Sequence, residues 1–375
     1  MTADWKPDAD GCKPATPLVT ESPGPELSSK AGGEPEAADR GQDTPAEKGR
    51  RPELLATAST LDELKRLAEA GADALLVGGP PYAARAAGPF DPGMIRAAAR
   101  FLKPRGKRLY VLVNHLLDNA AVEALPAYIR MLAEAGADAV ECGDPAVLVT
   151  VREMAPNLRI HWNAEMTATN ALAAEFWGKR GASRAVLARE LNGDEIRAFR
   201  AKTTLEVQVQ VHGMTCIYHS KRRLVESYLE HAARTGRTYE LRGPEGTDSG
   251  CGGGPAGRAG LDRGLRLIET ERPDIRLPIF EDEAGTHIMS PDDICLLEVV
   301  HELLEIGVDS LKIEGLLKTP AYNEAAVRAY RAAIDEWLRD PAGYRFREEW
   351  LEPIRALQDP RRELTFGFYF KEQVY

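Results

Sequence analysis

Glu69-Ala70-Gly71-Ala72-Asp73-Ala74-Leu75-Leu76-Val77-Gly78-Gly79 recurs along the chain. It returns as Glu134-Ala135-Gly136-Ala137-Asp138-Ala139-Val140-Glu141-Cys142-Gly143-Asp144, and as Glu305-Ile306-Gly307-Val308-Asp309-Ser310-Leu311-Lys312-Ile313-Glu314-Gly315. Arg180-Gly181-Ala182-Ser183-Arg184-Ala185-Val186-Leu187 is a weaker copy. Each copy ends a helical pattern, puts a glycine where a cap needs positive φ, and continues into a short apolar run that reads as a buried strand.

Outward from these copies, short apolar runs alternate with amphipathic stretches from Glu53 onward. The strand candidates are 54–56, 74–77, 109–113, 137–140, 158–162, 184–187, 205–211 and 311–313. Helical spacing fills the gaps, as in Leu61, Leu64 and Leu67. Eight βα units over residues 53–338 predict an α/β fold, a (β/α)8 TIM-like barrel, in preference to an open doubly wound sheet. No GxGxxG and no GxxxxGK[ST] is present, which removes two common nucleotide-binding architectures. A long insertion, residues 213–278, interrupts the repeat after the seventh strand. It contains a glycine-rich tract at 243–260 that reads as mobile. Residues 1–52 are rich in Pro, Gly and acidic groups with little apolar periodicity, so they are expected to be a disordered tail. Residues 339–375 read as a helical and aromatic extension that ends in Phe366, Phe368 and Phe370.

The net charge of −10 excludes a generally basic nucleic-acid-coating surface and a polybasic membrane anchor. The tail carries only −3 of it, so it hides no basic core. No apolar run is long enough to span a membrane and no signal peptide opens the chain, so the expected location is cytoplasmic. The five cysteines are scattered without CxxC pairing, which argues against a disulfide framework or a paired-cysteine zinc site.

In a barrel, residues just past the strands line the C-terminal mouth. Asn114, Glu141, Asn163, Arg189, His212, Cys216, Glu281, Lys312 and Glu314 stand at such places. Three constellations are sharper. His212, Cys216, Tyr218, Arg222 and Arg223 fall within one stretch after the seventh strand; clustered cations there can clamp a dicarboxylate or phosphate, the plain alternative being a solvated basic loop. Glu281-Asp282-Glu283 with His287 offers acid/base groups. A metal is not expected, because two histidines at helical spacing are missing. Lys312-Ile313-Glu314 can turn a cation and a carboxylate inward together, or serve as one buried brace. Arg222, Arg223 and His287 are expected to converge with Lys312.

The stretches VHGMTCIYHSKRRL, FEDEAGTHIMSPDDICLL and GVDSLKIEGLLKTPAYNEAAVRAYRAAID resemble the collagenase-like peptidase family, the thirty-second family of peptidases of unknown catalytic type. HWNAEMTATN and VLARELNGDEI fit the same family upstream. The resemblance covers about residues 52–338. It implies a function in RNA modification: 5-hydroxyuridine formation at the tRNA wobble position, with prephenate as co-substrate. On this reading His212, Cys216, Glu281, His287 and Glu314 are the catalytic candidates. Asn114, Arg189, Tyr218, Arg222, Arg223 and Lys312 are the substrate-binding candidates. Longer members of the family carry a Tyr-Ser-Gly-Arg-Cys stretch whose cysteine helps hold an iron–sulfur cluster. Here Arg223 replaces that cysteine, so this chain resembles the shorter, cysteine-poor branch and is not expected to bind a cluster alone. The implied partners are tRNA and a longer cysteine-bearing paralogue, with no membrane. The alternatives are a peptidase and a non-catalytic subunit of that paralogue. No nucleophile elbow or metalloprotease helix supports the peptidase.

Overall fold

The computed structural model describes residues 51–163, 169–235, 264–269 and 271–371. The tail at 1–50 and the glycine tract lie outside the described residues. In chain order come β1 (Glu53–Thr57), α1 (Leu61–Ala70), β2 (Ala74–Gly78), α2 (Pro92–Leu102), β3 (Arg108–Val113), α3 (Asn119–Ala135), β4 (Ala139–Cys142), α4 (Pro145–Met154), β5 (Arg159–Asn163), α5 (Ala171–Gly178), β6 (Arg184–Val186), α6 (Gly193–Arg200) and β7 (Glu206–Gly213). The connection after β7 holds β8 (Cys216–Ser220), α7 (Leu224–Thr235), β9 (Arg266–Glu269), β10 (Arg272–Asp282), β11 (Gly285–Met289), β12 (Asp293–Cys295) and α8 (Val300–Ile306). Then follow β13 (Ser310–Ile313), α9 (Pro320–Arg339), α10 (Glu352–Leu357) and β14 (Leu364–Thr365). Strands β1 to β7 pair in sequence order and in parallel, and β13 pairs with both β7 and β1. The result is a closed (β/α)8 barrel.

The recurring Gly-x-Asp has a physical role beyond the cap. Gly71 caps α1 at φ +120, and Gly136 caps α3 at φ +89. Two residues on, the aspartate stitches the start of its own strand to its neighbour. Asp73 donates its N–H to the Leu54 carbonyl and accepts the Leu54 N–H on Oδ2 at 3.0 Å. Asp138 does the same to Leu109 at 2.8 Å, and Asp309 to Val207 at 2.9 Å. Each copy therefore ends a helix, clamps two strand entrances and sets their stagger, which a closed barrel must hold constant.

Alternate residues of each strand point inward. Leu55, Ala74, Leu76, Tyr110, Leu112 and Ala139 form an apolar belt inside the barrel, while the larger apolar core lies between strands and helices. Below the belt, at the N-terminal end, Arg184 reaches Glu53 at 2.6 Å and Glu206 at 2.7 Å. Glu53 also accepts from Arg108, Tyr110 and Ser310.

The insertion extends further than its predicted end at 278. Strands β8, β11, β10 and β9 form a separate four-stranded antiparallel sheet that runs to Met289. The reason is Gly285 at φ +120, which closes a tight β10–β11 hairpin against Asp282. The C-terminal extension packs back on the barrel through β14, which pairs with β12. There Asp293, fully buried, meets Lys318 at 2.5 Å and Arg362 at 2.8 Å. Burial alone would raise the Asp293 pKa, but those two cations hold it at about 2.

Candidate functional site

The C-terminal ends of β3, β4, β5, β7 and β13 converge on a small cavity of about 20 Å³, room for roughly one water. Lys312 lines it. Its side chain is 5% exposed, with Nζ 3.3 Å from Glu314 Oε2 and 3.9 Å from Glu141 Oε1. Glu141 is fully buried and accepts from Asn163 at 3.0 Å and Gln208 at 3.2 Å. Glu314 accepts from the Thr57 hydroxyl at 2.9 Å and the Leu316 N–H at 3.1 Å. The β7 backbone approaches so closely that a Cβ on Gly213 would lie 2.1 Å from the Glu314 carbonyl oxygen. A lysine ammonium between two oriented carboxylates can hold or move a proton at Nζ.

Above this core, Arg189 donates to the Cys216 carbonyl at 3.0 Å, joining the loop after β6 to the start of β8. Asn114 grips Ala84 twice, accepting its N–H at 2.8 Å and donating to its carbonyl at 3.2 Å. The next residue, Arg85, has φ +56, a conformation an arginine rarely adopts and one that costs roughly 1–2 kcal/mol. Its N–H is held by Asp282 Oδ2 at 2.9 Å. Arg85, Arg189 and Lys312 thus bring three cations to one mouth, inside a chain of net charge −10.

Of the catalytic and substrate-binding candidates, Asn114, Arg189, Cys216, Lys312 and Glu314 line this cavity, together with the strand-end residues Glu141 and Asn163. The other six candidates do not line it. Strict alternation along β7 would turn His212 inward, but a bulge at Val211 shifts the register, so His212 pairs with outward-facing Ile313. It is fully buried against α9, 2.9 Å from the Tyr322 hydroxyl, and burial lowers its pKa to about 4. Glu281 caps α7, accepting the N–H groups of Val225 at 2.9 Å and Glu226 at 3.3 Å. His287 lies within the insertion sheet, stacked on His219 at 4.8 Å and bonded to Asp282 at 2.8 Å. Burial would raise the Asp282 pKa, but the bond to His287 holds it below the usual carboxylate range. Tyr218 is half exposed on β8. Arg222 is exposed, and Arg223, just before α7, pairs with Glu226 of that helix at 3.0 Å. Arg222, Arg223 and His287, expected to converge on Lys312, do not line its cavity; the insertion sheet that carries His287 contributes Cys216 and Met289 there instead.

Sequence reasoning missed Arg85 and Gln210. Gln210 had a signal: in Val207-Gln208-Val209-Gln210-Val211 the glutamines alternate inward. Arg85 had none, since it lies on a loop rather than at a strand end. A larger cavity, about 430 Å³, is on the outer surface beside Glu324 and Trp350 and meets no strand end.

The described cysteines do not fit a cluster site. Cys142 and Cys295 are buried in the packed core and Cys216 is at the mouth, while Cys12 and Cys251 lie outside the described residues. Among the described residues no group of His, Cys, Asp and Glu is arranged to hold a metal ion. No described helix is long and apolar enough to cross a membrane.

The model of peptidase family U32 matches residues 59–374. The chain belongs to peptidase family U32. Among its relatives is tRNA hydroxylation protein P2 of Bacillus subtilis, 41% identical over 327 residues, covering 87% of this chain and 100% of that protein. tRNA hydroxylation protein P1 of the same organism is 33% identical and covers 87% of this chain and 74% of the relative. tRNA hydroxylation protein P of Escherichia coli is 30% identical, with 85% and 74% covered.

Proposed function

We propose that this chain takes part in hydroxylating a uridine of tRNA, with the barrel mouth as the reacting site. The observation that carries this reading is the 41% identity along the full length of the Bacillus P2 protein. The mouth suits the chemistry: a buried lysine between two carboxylates, ringed by amide and guanidinium donors that can grip a polar substrate. The finer assignments, 5-hydroxyuridine at the wobble position with prephenate as co-substrate, extend this reading. So do a cytoplasmic location and a longer, cysteine-bearing paralogue as partner; Bacillus having both P1 and P2 favours such a pairing. The chain is assigned no iron–sulfur cluster of its own. Purified anaerobically it should show no thiolate–iron absorption near ~400 nm. The peptidase alternative has no nucleophile–base pair in Cys216 and His212: the Cys216 thiol faces the Tyr218 carbonyl at 3.2 Å, and His212 lies behind its strand against Tyr322.

The test is nucleoside mass spectrometry of tRNA from a deletion strain. Hydroxyuridine should vanish, return with the wild-type gene, and stay absent with Lys312→Met or Glu141→Gln. Unchanged hydroxyuridine in the deletion strain would overturn the proposal.

A further inference from the structure

The Arg85 backbone is the observation to explain. Glycine adopts positive φ without strain, whereas an arginine there costs stability. The loop is nevertheless held in that shape from two sides, at Ala84 by Asn114 from β3 and at Arg85 by Asp282 from the insertion sheet. Asp282 is itself fixed: its Oδ1 accepts the Ala284 N–H at 2.8 Å and bonds His287 at 2.8 Å. His287 is fully buried, and its ring stacks on His219 with a 5° tilt. His219 in turn bonds the Ala284 carbonyl at 3.0 Å. This support orders one backbone turn, and Arg85 on that turn lines the same cavity as Arg189 and Lys312.

We infer that Arg85 binds an oxyanion of the substrate at the barrel mouth, and that Asp282, supported by His287, is its positioning residue. The proposal deepens the tRNA-hydroxylation reading and rests on it for the substrate's identity, but not for the anion site. Two sources share the chemistry: a phosphate of the nucleic acid, or a carboxylate of a small co-substrate. A guanidinium offers paired donors to either. The arrangement also assigns the insertion sheet a task, since Asp282 holds the Arg85 N–H while Asn114 holds only the preceding residue.

The experiment uses the purified full chain. Binding of malonate, of inorganic phosphate and of an anticodon stem-loop RNA is measured for wild type, Arg85→Gly, Asp282→Ala and the double variant, together with thermal unfolding. Arg85→Gly should fold as well as wild type or better, because glycine relieves the strain, yet bind its oxyanion at least tenfold more weakly. Asp282→Ala should also weaken binding, by about three- to tenfold. In the Arg85→Gly background it should weaken binding no further while still lowering the unfolding temperature. A purely structural Asp282 would not show that dependence. Loss confined to malonate assigns the site to a carboxylate, and loss confined to phosphate and RNA assigns it to a phosphate. Arg85→Gly binding all three probes like wild type, or wild type binding none of them, overturns the inference. If hydroxyuridine persists in the deletion strain while Arg85→Gly loses malonate binding, the tRNA reading fails and the anion site stands.

Discussion

The barrel interior carries charge at both ends, and the two ends are built differently. At the N-terminal end, Arg184 is 1% exposed and is gripped by Glu53 and Glu206 at 2.6–2.9 Å, with Arg108, Tyr110 and Ser310 completing the set. Burial would raise the Glu53 pKa, but Arg184, Tyr110 and Arg108 hold it below the usual carboxylate range. At the C-terminal end, Lys312 lies 3.3 Å from Glu314 and 3.9 Å from Glu141, and a cavity opens beside it. The closed network has matched short bonds, as buried charge requires. The other borders a cavity through which a ligand can reach it. Charge inside a barrel is therefore not by itself a functional signal; access from a cavity separates the site from the brace.

The sharpest way to break this comparison is to cut each network at its cation. Arg184→Met leaves two carboxylates facing each other and should cost roughly 3–5 kcal/mol in urea unfolding. Lys312→Met should cost less, about 1–2 kcal/mol, since Glu141 keeps two other donors, while abolishing hydroxylation. Equal costs would mean that the two ends do not differ in kind.

An intermediate effect concerns pH. His212 is neutral when folded, at about 4, against about 6.5 for an unfolded histidine. Between those values the unfolded chain binds the extra proton. Stability therefore falls as pH drops through that window, by about 3 kcal/mol in all. Burial first, then Arg184, pushes the His161 pKa down as well, so it adds in the same direction. Glu53 and Glu206 act lower: their contribution is present above about 4.3 and lost as pH falls toward their depressed folded values. The urea midpoint should drop between pH 7 and pH 5, and His212→Gln should flatten that drop. A flat wild-type midpoint would mean that His212 is solvated and not packed behind β7.

The smallest effect tests the insertion. Arg223→Ala removes an exposed pair and should change stability by no more than about 0.5 kcal/mol, with hydroxylation intact. A tenfold loss of activity would restore this arginine to the site.

The local code of this chain determined the barrel. Glycine cap, clamping aspartate and buried strand lie within about ten residues, so each copy states its own geometry, and eight strand runs in sequence order leave one closed arrangement. Lys312, Glu314, Asn114, Arg189 and Cys216 were legible for the same reason, since strand ends of a barrel must meet. Only the tertiary structure decided the rest. One extra residue in β7 turned His212 outward, and no periodicity announces a bulge whose position depends on the partner strand. Glu281 and His287 carry the chemistry of a site yet brace a hairpin and a helix, because which carboxylate is left without a structural task depends on what packs against it. Arg85 is the converse: an arginine on an unremarkable loop, brought to the mouth by an aspartate 197 positions away, a contact that only the folded chain can make.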